Sequence, residues 1–96
     1  MADCSVNRTV VVTNPQGLHA RPADVFVKLA SRYQAKIDVI KDGERVDGKS
    51  ILAILTLAAV EGTQLAIEAT GPDAEAALDA LTELVLRNFD ENGTVE

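Results

Sequence analysis

Two side chains near the start of the chain have the types and the spacing that phosphoryl chemistry requires. His19 is the only histidine in the 96 residues, and Arg21 follows two positions later. Imidazole can act as a nucleophile because it titrates near neutral pH. A guanidinium group can hold phosphate oxygens with paired hydrogen bonds. The pair therefore indicates a site that could accept and release a phosphoryl group without a metal or cofactor.

The residues around this pair indicate how it is positioned. Gly17 precedes the histidine and can turn the backbone, and Pro22 suits the first turn of a helix. The apolar positions that follow have helical spacing, which predicts a loop that delivers His19 to a helix N-terminus. The helix end would favour a phosphoryl dianion and keep the imidazole neutral and nucleophilic. From residue types alone, a histidine that only caps the turn is an open alternative.

Composition limits the kind of protein that carries this site. The length suits one small domain, and with 47% hydrophobic residues but only 3% aromatic ones its core must be aliphatic. The net charge of -6 argues against nucleic acid as the main partner. The lone Cys4 excludes an internal disulfide and, beside a single histidine, a zinc site built from such ligands. With no recognisable signal peptide or membrane span, we expect a cytoplasmic protein. We also expect it to be a monomer.

Hydrophobic periodicity and turn signals predict four strands and three helices. In chain order they are strand 7–13, helix 20–33, strand 36–41, strand 44–47, short helix 51–58, strand 64–70 and a last helix that ends near 88. Asp42-Gly43 predicts a hairpin, Gly62 the end of the short helix, and Asp73 the cap of the last helix. Long amphipathic helices covering one face of the sheet give a two-layer α+β domain spanning residues 1–96, with 89–96 as a frayed tail.

Two stretches resemble motifs of the HPr family, the histidine-containing phosphocarriers of the bacterial sugar phosphotransferase system. Gly17-Leu18-His19-Ala20-Arg21-Pro22-Ala23 resembles the active-site signature, and Gly48-Lys49-Ser50-Ile51-Leu52-Ala53-Ile54-Leu55 resembles the regulatory-serine segment. The resemblance covers about Arg8 to Asn88. It implies an open-faced β-sandwich with an antiparallel sheet in the strand order 1-4-2-3 and helices on one face.

The resemblance also implies a function. Enzyme I would phosphorylate His19 on its pros ring nitrogen, with phosphoenolpyruvate as the ultimate donor, and His19 would pass the group to the A component of an enzyme II. Arg21 would assist both transfers. The protein would be a carrier consumed and regenerated stoichiometrically, not an enzyme, and would need no cofactor. Partners would dock on a surface that includes Leu18, Ala20, Lys28, Lys49, Ile51, Leu52 and Leu55.

Ser50 has two interpretations. Its hydroxyl is a good N-cap for the short helix, which requires no regulation. By resemblance, it is the position that an HPr kinase/phosphorylase modifies in many bacteria, and a phosphate there would add negative charge to the docking surface. The alternative function is therefore a regulatory module, in a carbon-catabolite or nitrogen-related branch, that binds partners such as a transcription factor when phosphorylated. The few basic residues near the site also leave open which partners it serves.

Overall fold

The computed structural model describes residues 5–15, 17–87 and 89, and it contains the predicted succession of strands and helices. The elements are β1 (Ser5–Val11), α1 (Ala20–Ala30), β2 (Lys36–Lys41), β3 (Glu44–Asp47), α2 (Ile51–Thr56), β4 (Gln64–Thr70) and α3 (Ala74–Leu86). The predicted bounds of the last three strands agree with these ranges. The first strand lies two residues earlier than predicted, and each helix ends two or three residues sooner.

The four strands form one antiparallel sheet in the order β1-β4-β2-β3, which confirms the topology that the resemblance implied. Asp42 and Gly43 connect β2 to β3 with φ angles of 51° and 85°. These positive angles are the ones that a tight two-residue hairpin requires, and they explain the Asp-Gly pair. The predicted hairpin is therefore confirmed.

Alternate residues of the strands point toward the helices and form the core. In β2 and β4 they are Ile37, Val39, Leu65, Ile67 and Ala69, all of which are buried. The helices contribute a matching apolar stripe that includes Phe26, Leu78, Leu81, Leu84 and Val85. Within the described residues no helix covers the opposite face of the sheet, so the domain is an open-faced sandwich and the α+β class is confirmed.

Asp73 stands at the N-cap position of α3, as predicted, but its side chain makes no capping hydrogen bond. Its carboxylate instead accepts the backbone N–H groups of Gln34 at 2.9 Å and Ala35 at 2.8 Å. The Gln34 amide, with help from that of Ala35, holds the pKa of the Asp73 carboxyl below its usual range. The residue thus joins the α1–β2 loop to the start of α3.

The predictions for Gly62 and for the tail need correction. The helix α2 ends before Gly62, and Ala58 takes the left-handed conformation after it, with a φ of 52°. Gly62 instead turns the chain toward β4, and its N–H donates to the carbonyl of Val12 at 2.7 Å. Phe89 falls within the predicted frayed tail but is buried in the core. Burial removes its apolar ring from water, which is favourable. Residues 90–96 lie outside the described part of the chain.

Candidate functional site

His19 is the N-cap residue of α1 and is exposed. Its backbone is extended, with φ −95° and ψ −166°, and its side chain makes no capping hydrogen bond. Only its carbonyl takes part in the helix, by accepting the N–H of Ala23 at 3.0 Å. A histidine that merely capped the turn would use its ring for that purpose. The geometry therefore argues against the capping alternative. The imidazole is exposed at the surface.

The first turn of α1 has the electrostatic character that an anion requires. It contains no acidic residue, and helix amides point toward the N-terminus, where they carry a partial positive charge. Pro22 is the third helical residue and has no N–H, so the amides of this turn are those of Ala20 and Arg21. Arg21 is exposed in the same turn. Asp24, the nearest acidic residue of the helix, is paired with Lys28 at 3.1 Å.

The loop before His19 rests on residues 57–63, which we call the α2–β4 connection. The N–H of Leu18 donates to the carbonyl of Ala59 at 2.8 Å. Gly17 has a φ of 71°, and a Cβ atom on it would lie 2.5 Å from the Ala59 oxygen and 2.9 Å from the Val60 Cα. Only glycine satisfies both the backbone angle and this close approach.

Asn14 is a positioning residue that the sequence analysis did not single out. Its Nδ2 donates to the carbonyl of Gly17 at 2.8 Å, and the Gly17 N–H donates back to the Asn14 carbonyl at 3.1 Å. The residue is buried, and its Oδ1 has no hydrogen-bond partner within the part of the chain that the structure describes. The signal that could have revealed it is the Asn-Pro pair, which favours turns stabilised by the asparagine side chain.

The Ser50 segment lies on α2, which contacts α1. Ser50 is the N-cap residue, and its Oγ accepts the N–H of Ala53 at 3.2 Å, which confirms the predicted cap. Leu52 is 77% exposed, whereas Ile51 and Leu55 are partly buried against the core. Of these three residues of α2, only Leu52 presents most of its side chain.

The remaining residues assigned to docking divide into three kinds. Ala20 and Lys28 are exposed. Lys49 is half-buried, and its Nζ donates to the carbonyl of Tyr33 at 2.8 Å. Leu18 is only 6% exposed, because its side chain fills the core beneath the histidine loop. The expectation that Leu18 offers a docking surface is therefore wrong.

Val60 is an exposed apolar residue that the sequence analysis missed. It is 64% exposed, and its Cα lies against Gly17, two residues before the histidine. Its position on the α2–β4 connection could not be placed beside His19 from local sequence. Exposed apolar side chains therefore occur both on α2 and beside the histidine loop.

Comparison with known proteins places this geometry in a family. A family model described as "PTS HPr component phosphorylation site" matches residues 6–86. Phosphocarrier protein HPr of Treponema pallidum (strain Nichols) is 43% identical over 86 residues, which cover 90% of this chain and 98% of that protein. Phosphocarrier protein NPr of Escherichia coli (strain K12) is 38% identical over 89 residues, or 92% and 99% of the two chains. The crystal structure of HPr from Bacillus anthracis str. Ames matches with a TM-score of 0.80 and 44% identity, over 83% of this chain and 95% of that one.

The 1-4-2-3 sheet with its helices matches a solved structure of an HPr phosphocarrier protein, so the fold is that of a phosphocarrier domain. The chain belongs to the HPr family of phosphocarrier proteins of the phosphotransferase system. Its partners are in general proteins of that system. Among the helices of the described residues, none has the length and apolar character to cross a membrane.

Proposed function

We propose that this protein accepts a phosphoryl group on His19 from phosphorylated enzyme I and passes it to the A component of an enzyme II in sugar uptake. The observation that carries the proposal is the exposed imidazole at the N-cap of α1, which takes no part in capping the helix. A ring that is not engaged in capping its helix is available for chemistry. Membership of the HPr family supports the same role.

In the proposed transfer, the pros nitrogen of His19 attacks the phosphorus atom with its lone pair. The new nitrogen–phosphorus bond forms as the bond from phosphorus to the donor side chain breaks, and the donor keeps that electron pair. The first-turn amides of α1 and the guanidinium group of Arg21 stabilise the charge on the phosphoryl oxygens. Transfer to the next partner is the same step in reverse, with a new acceptor.

The protein is then a carrier and not an enzyme, because each transfer leaves His19 modified until a partner removes the group. It acts as a monomer in the cytoplasm, where both partners can reach it. Docking uses the exposed apolar side chain of Leu52, with Ile51 and Leu55 beside it and with Ala20 and Lys28 on α1. Lys49 contributes charge at the edge of this surface.

Regulation at Ser50 is the second candidate. The Oγ of this residue already caps α2, and the next residue but one is the exposed Leu52. A phosphate on Oγ would place about two negative charges beside the proposed docking surface. An HPr kinase/phosphorylase could therefore switch the protein between partners, and in a regulatory branch a transcription factor would bind the modified form. The similarity to phosphocarrier protein NPr, in addition to HPr, is compatible with a role outside sugar uptake.

The test of the main proposal is incubation with enzyme I and radiolabelled phosphoenolpyruvate. We expect an acid-labile, alkali-stable label that His19→Ala abolishes and that Ser50→Ala leaves in place. Absence of label with the cognate enzyme I would sink the proposal. For the regulatory candidate, equal partner binding by the wild type and Ser50→Asp would count against it.

A further inference from the structure

We propose that Lys41 is a positioning residue for the His19 site and acts through the α2–β4 connection. Lys41 is the last residue of β2, and its Nζ donates to the carbonyl of Leu57 at 2.9 Å. Leu57 is the C-cap of α2 and stands two residues before Ala59, whose carbonyl holds the amide of Leu18. A continuous path of bonds thus joins the end of β2 to the residue before the histidine. The inference rests on the proposed phosphoryl transfer.

A cation near the end of α2 is favourable, and the helix itself supplies none. The last carbonyl groups of any helix lack partners within it and carry a partial negative charge. The last turn of α2 has no basic residue. Lys41 provides the charge from the neighbouring strand, and a hydrogen bond from an ammonium group is stronger than one from a neutral donor. The bond is partly buried, so water screens it less than it would a surface pair.

The connection requires this support because its backbone is strained. Ala58, directly after Leu57, has a φ of 52°, which a residue with a Cβ atom adopts at a cost. Without the bond to Leu57, this segment can relax toward ordinary angles. The Ala59 carbonyl and the Val60 Cα, which lie against Leu18 and Gly17, would then shift. His19 would shift with them, since it is the next residue.

Lys36 provides a matched control at the other end of the same strand. Its side chain is 75% exposed, and its Nζ lies 3.9 Å from the carboxylate of Asp38, on the open face of the sheet. Side chains alternate along a strand, so Lys41 shares the face of Ile37 and Val39, which points to the helices. Both lysines carry the same charge, but only Lys41 contacts the support of the histidine loop.

The experiment compares Lys41→Met, Lys41→Arg and Lys36→Met in the full chain. The steady-state rate of phosphorylation by enzyme I is measured at a temperature at which circular dichroism shows every variant folded. With the Lys41→Met variant as substrate, we expect the kcat of enzyme I to fall by about ten-fold and its KM to stay unchanged. The reason is that a small displacement of a reacting group lowers the rate of transfer strongly. Lys41→Arg should restore most of the rate, and Lys36→Met should match the wild type. The amide resonance of Leu18 should move in Lys41→Met alone.

Two outcomes would overturn the proposal. One is transfer by folded Lys41→Met at the wild-type rate. The other is an unchanged Leu18 amide resonance, which would leave Lys41 with a stabilising role only. If the wild type itself takes no label, the proposed function fails, and the Leu18 resonance still decides whether Lys41 positions the loop. If Lys41→Met does not fold, Lys41→Gln replaces it in the same measurements.

Discussion

The amide of Leu18 donates to the carbonyl of Ala59 at 2.8 Å, so the residue before the histidine is bonded to the segment that follows α2. The two motifs of the sequence therefore share a support. Ser50 caps the N-terminus of α2, and the α2–β4 connection begins at the C-terminus of the same helix. This connection in turn supports the loop that ends at His19. A change in the connection should reach the site without touching the imidazole.

Gly17→Ala tests how closely the loop must approach the connection. The new methyl group would meet the Ala59 oxygen at 2.5 Å, and the φ of 71° would be strained as well. We expect a loss of roughly 2–4 kcal/mol in the free energy of unfolding, measured with urea. Gly43→Ala is the control, because its φ of 85° is also positive but no atom of the described residues lies within 4 Å of the added Cβ. It should lose only about 1–2 kcal/mol. Equal losses would mean that the close approach costs nothing.

Asp73 should make the protein sensitive to acid. Hydrogen bonds from the amides of Gln34 and Ala35 lower the pKa of its carboxyl in the folded state. A lowered folded pKa contributes stability that is present above the unfolded value, near pH 4, and is lost as pH falls through the folded one. The free energy of unfolding should therefore decline below about pH 4, and Asp73→Asn should flatten the decline.

The flattening should be partial, because a second carboxyl has a lowered pKa. Glu68, on the open face of the sheet, accepts hydrogen bonds from Arg45 and Ser5, in that order of effect. Glu75→Gln, an exposed carboxylate in the first turn of the helix that Asp73 precedes, is the matched control. Urea titrations from pH 2 to 7 that gave Asp73→Asn and Glu75→Gln the same slope would rule out the role assigned to Asp73.

Much of this arrangement could be predicted from local sequence, and the remainder depends on contacts between distant residues. The alternation of Ile37 and Val39 gave the bounds of β2, and Ser50 signalled the start of α2. Lys41, by contrast, has the appearance of an ordinary polar strand end. Its bond to Leu57, like the bonds of Asp73, arises only when the sheet has brought separate segments together.

The same limit applies to exposure. The resemblance assigned Ile51, Leu52 and Leu55 of α2 to docking without showing which of them would be covered, because that depends on how α2 packs against the rest of the domain. Leu18, next to the histidine, was expected to contact partners, but its side chain is buried in the core. The left-handed Ala58 carried no signal at all, since glycine is the residue usually expected there.

Arg21→Ala should slow phosphoryl transfer while leaving the fold intact. The side chain is exposed in the first turn of α1, so its removal leaves no cavity in the core. We expect a rate loss of about 10–100-fold, the scale of one charged group that stabilises a transferring phosphoryl. Arg32→Ala, an exposed arginine just past the other end of α1, should transfer normally. The rate is measured by quenching the labelling reaction at successive times. Equal rates of phosphoryl transfer for Arg21→Ala and the wild type would show that Arg21 has no part in the mechanism.

Leu52→Asn should weaken docking without weakening the fold. The side chain is 77% exposed, so the folded protein gains little from it, and a partner that covered it would bury most of its apolar surface. We expect KM for enzyme I to rise by about five- to ten-fold, equivalent to roughly 1–1.5 kcal/mol, with kcat nearly unchanged. Leu86→Asn is the control, since Leu86 is similarly exposed, at 69%, but is the last residue of α3 and does not belong to the proposed docking surface. If both variants raise KM alike, general surface hydrophobicity and not a defined docking surface governs the encounter.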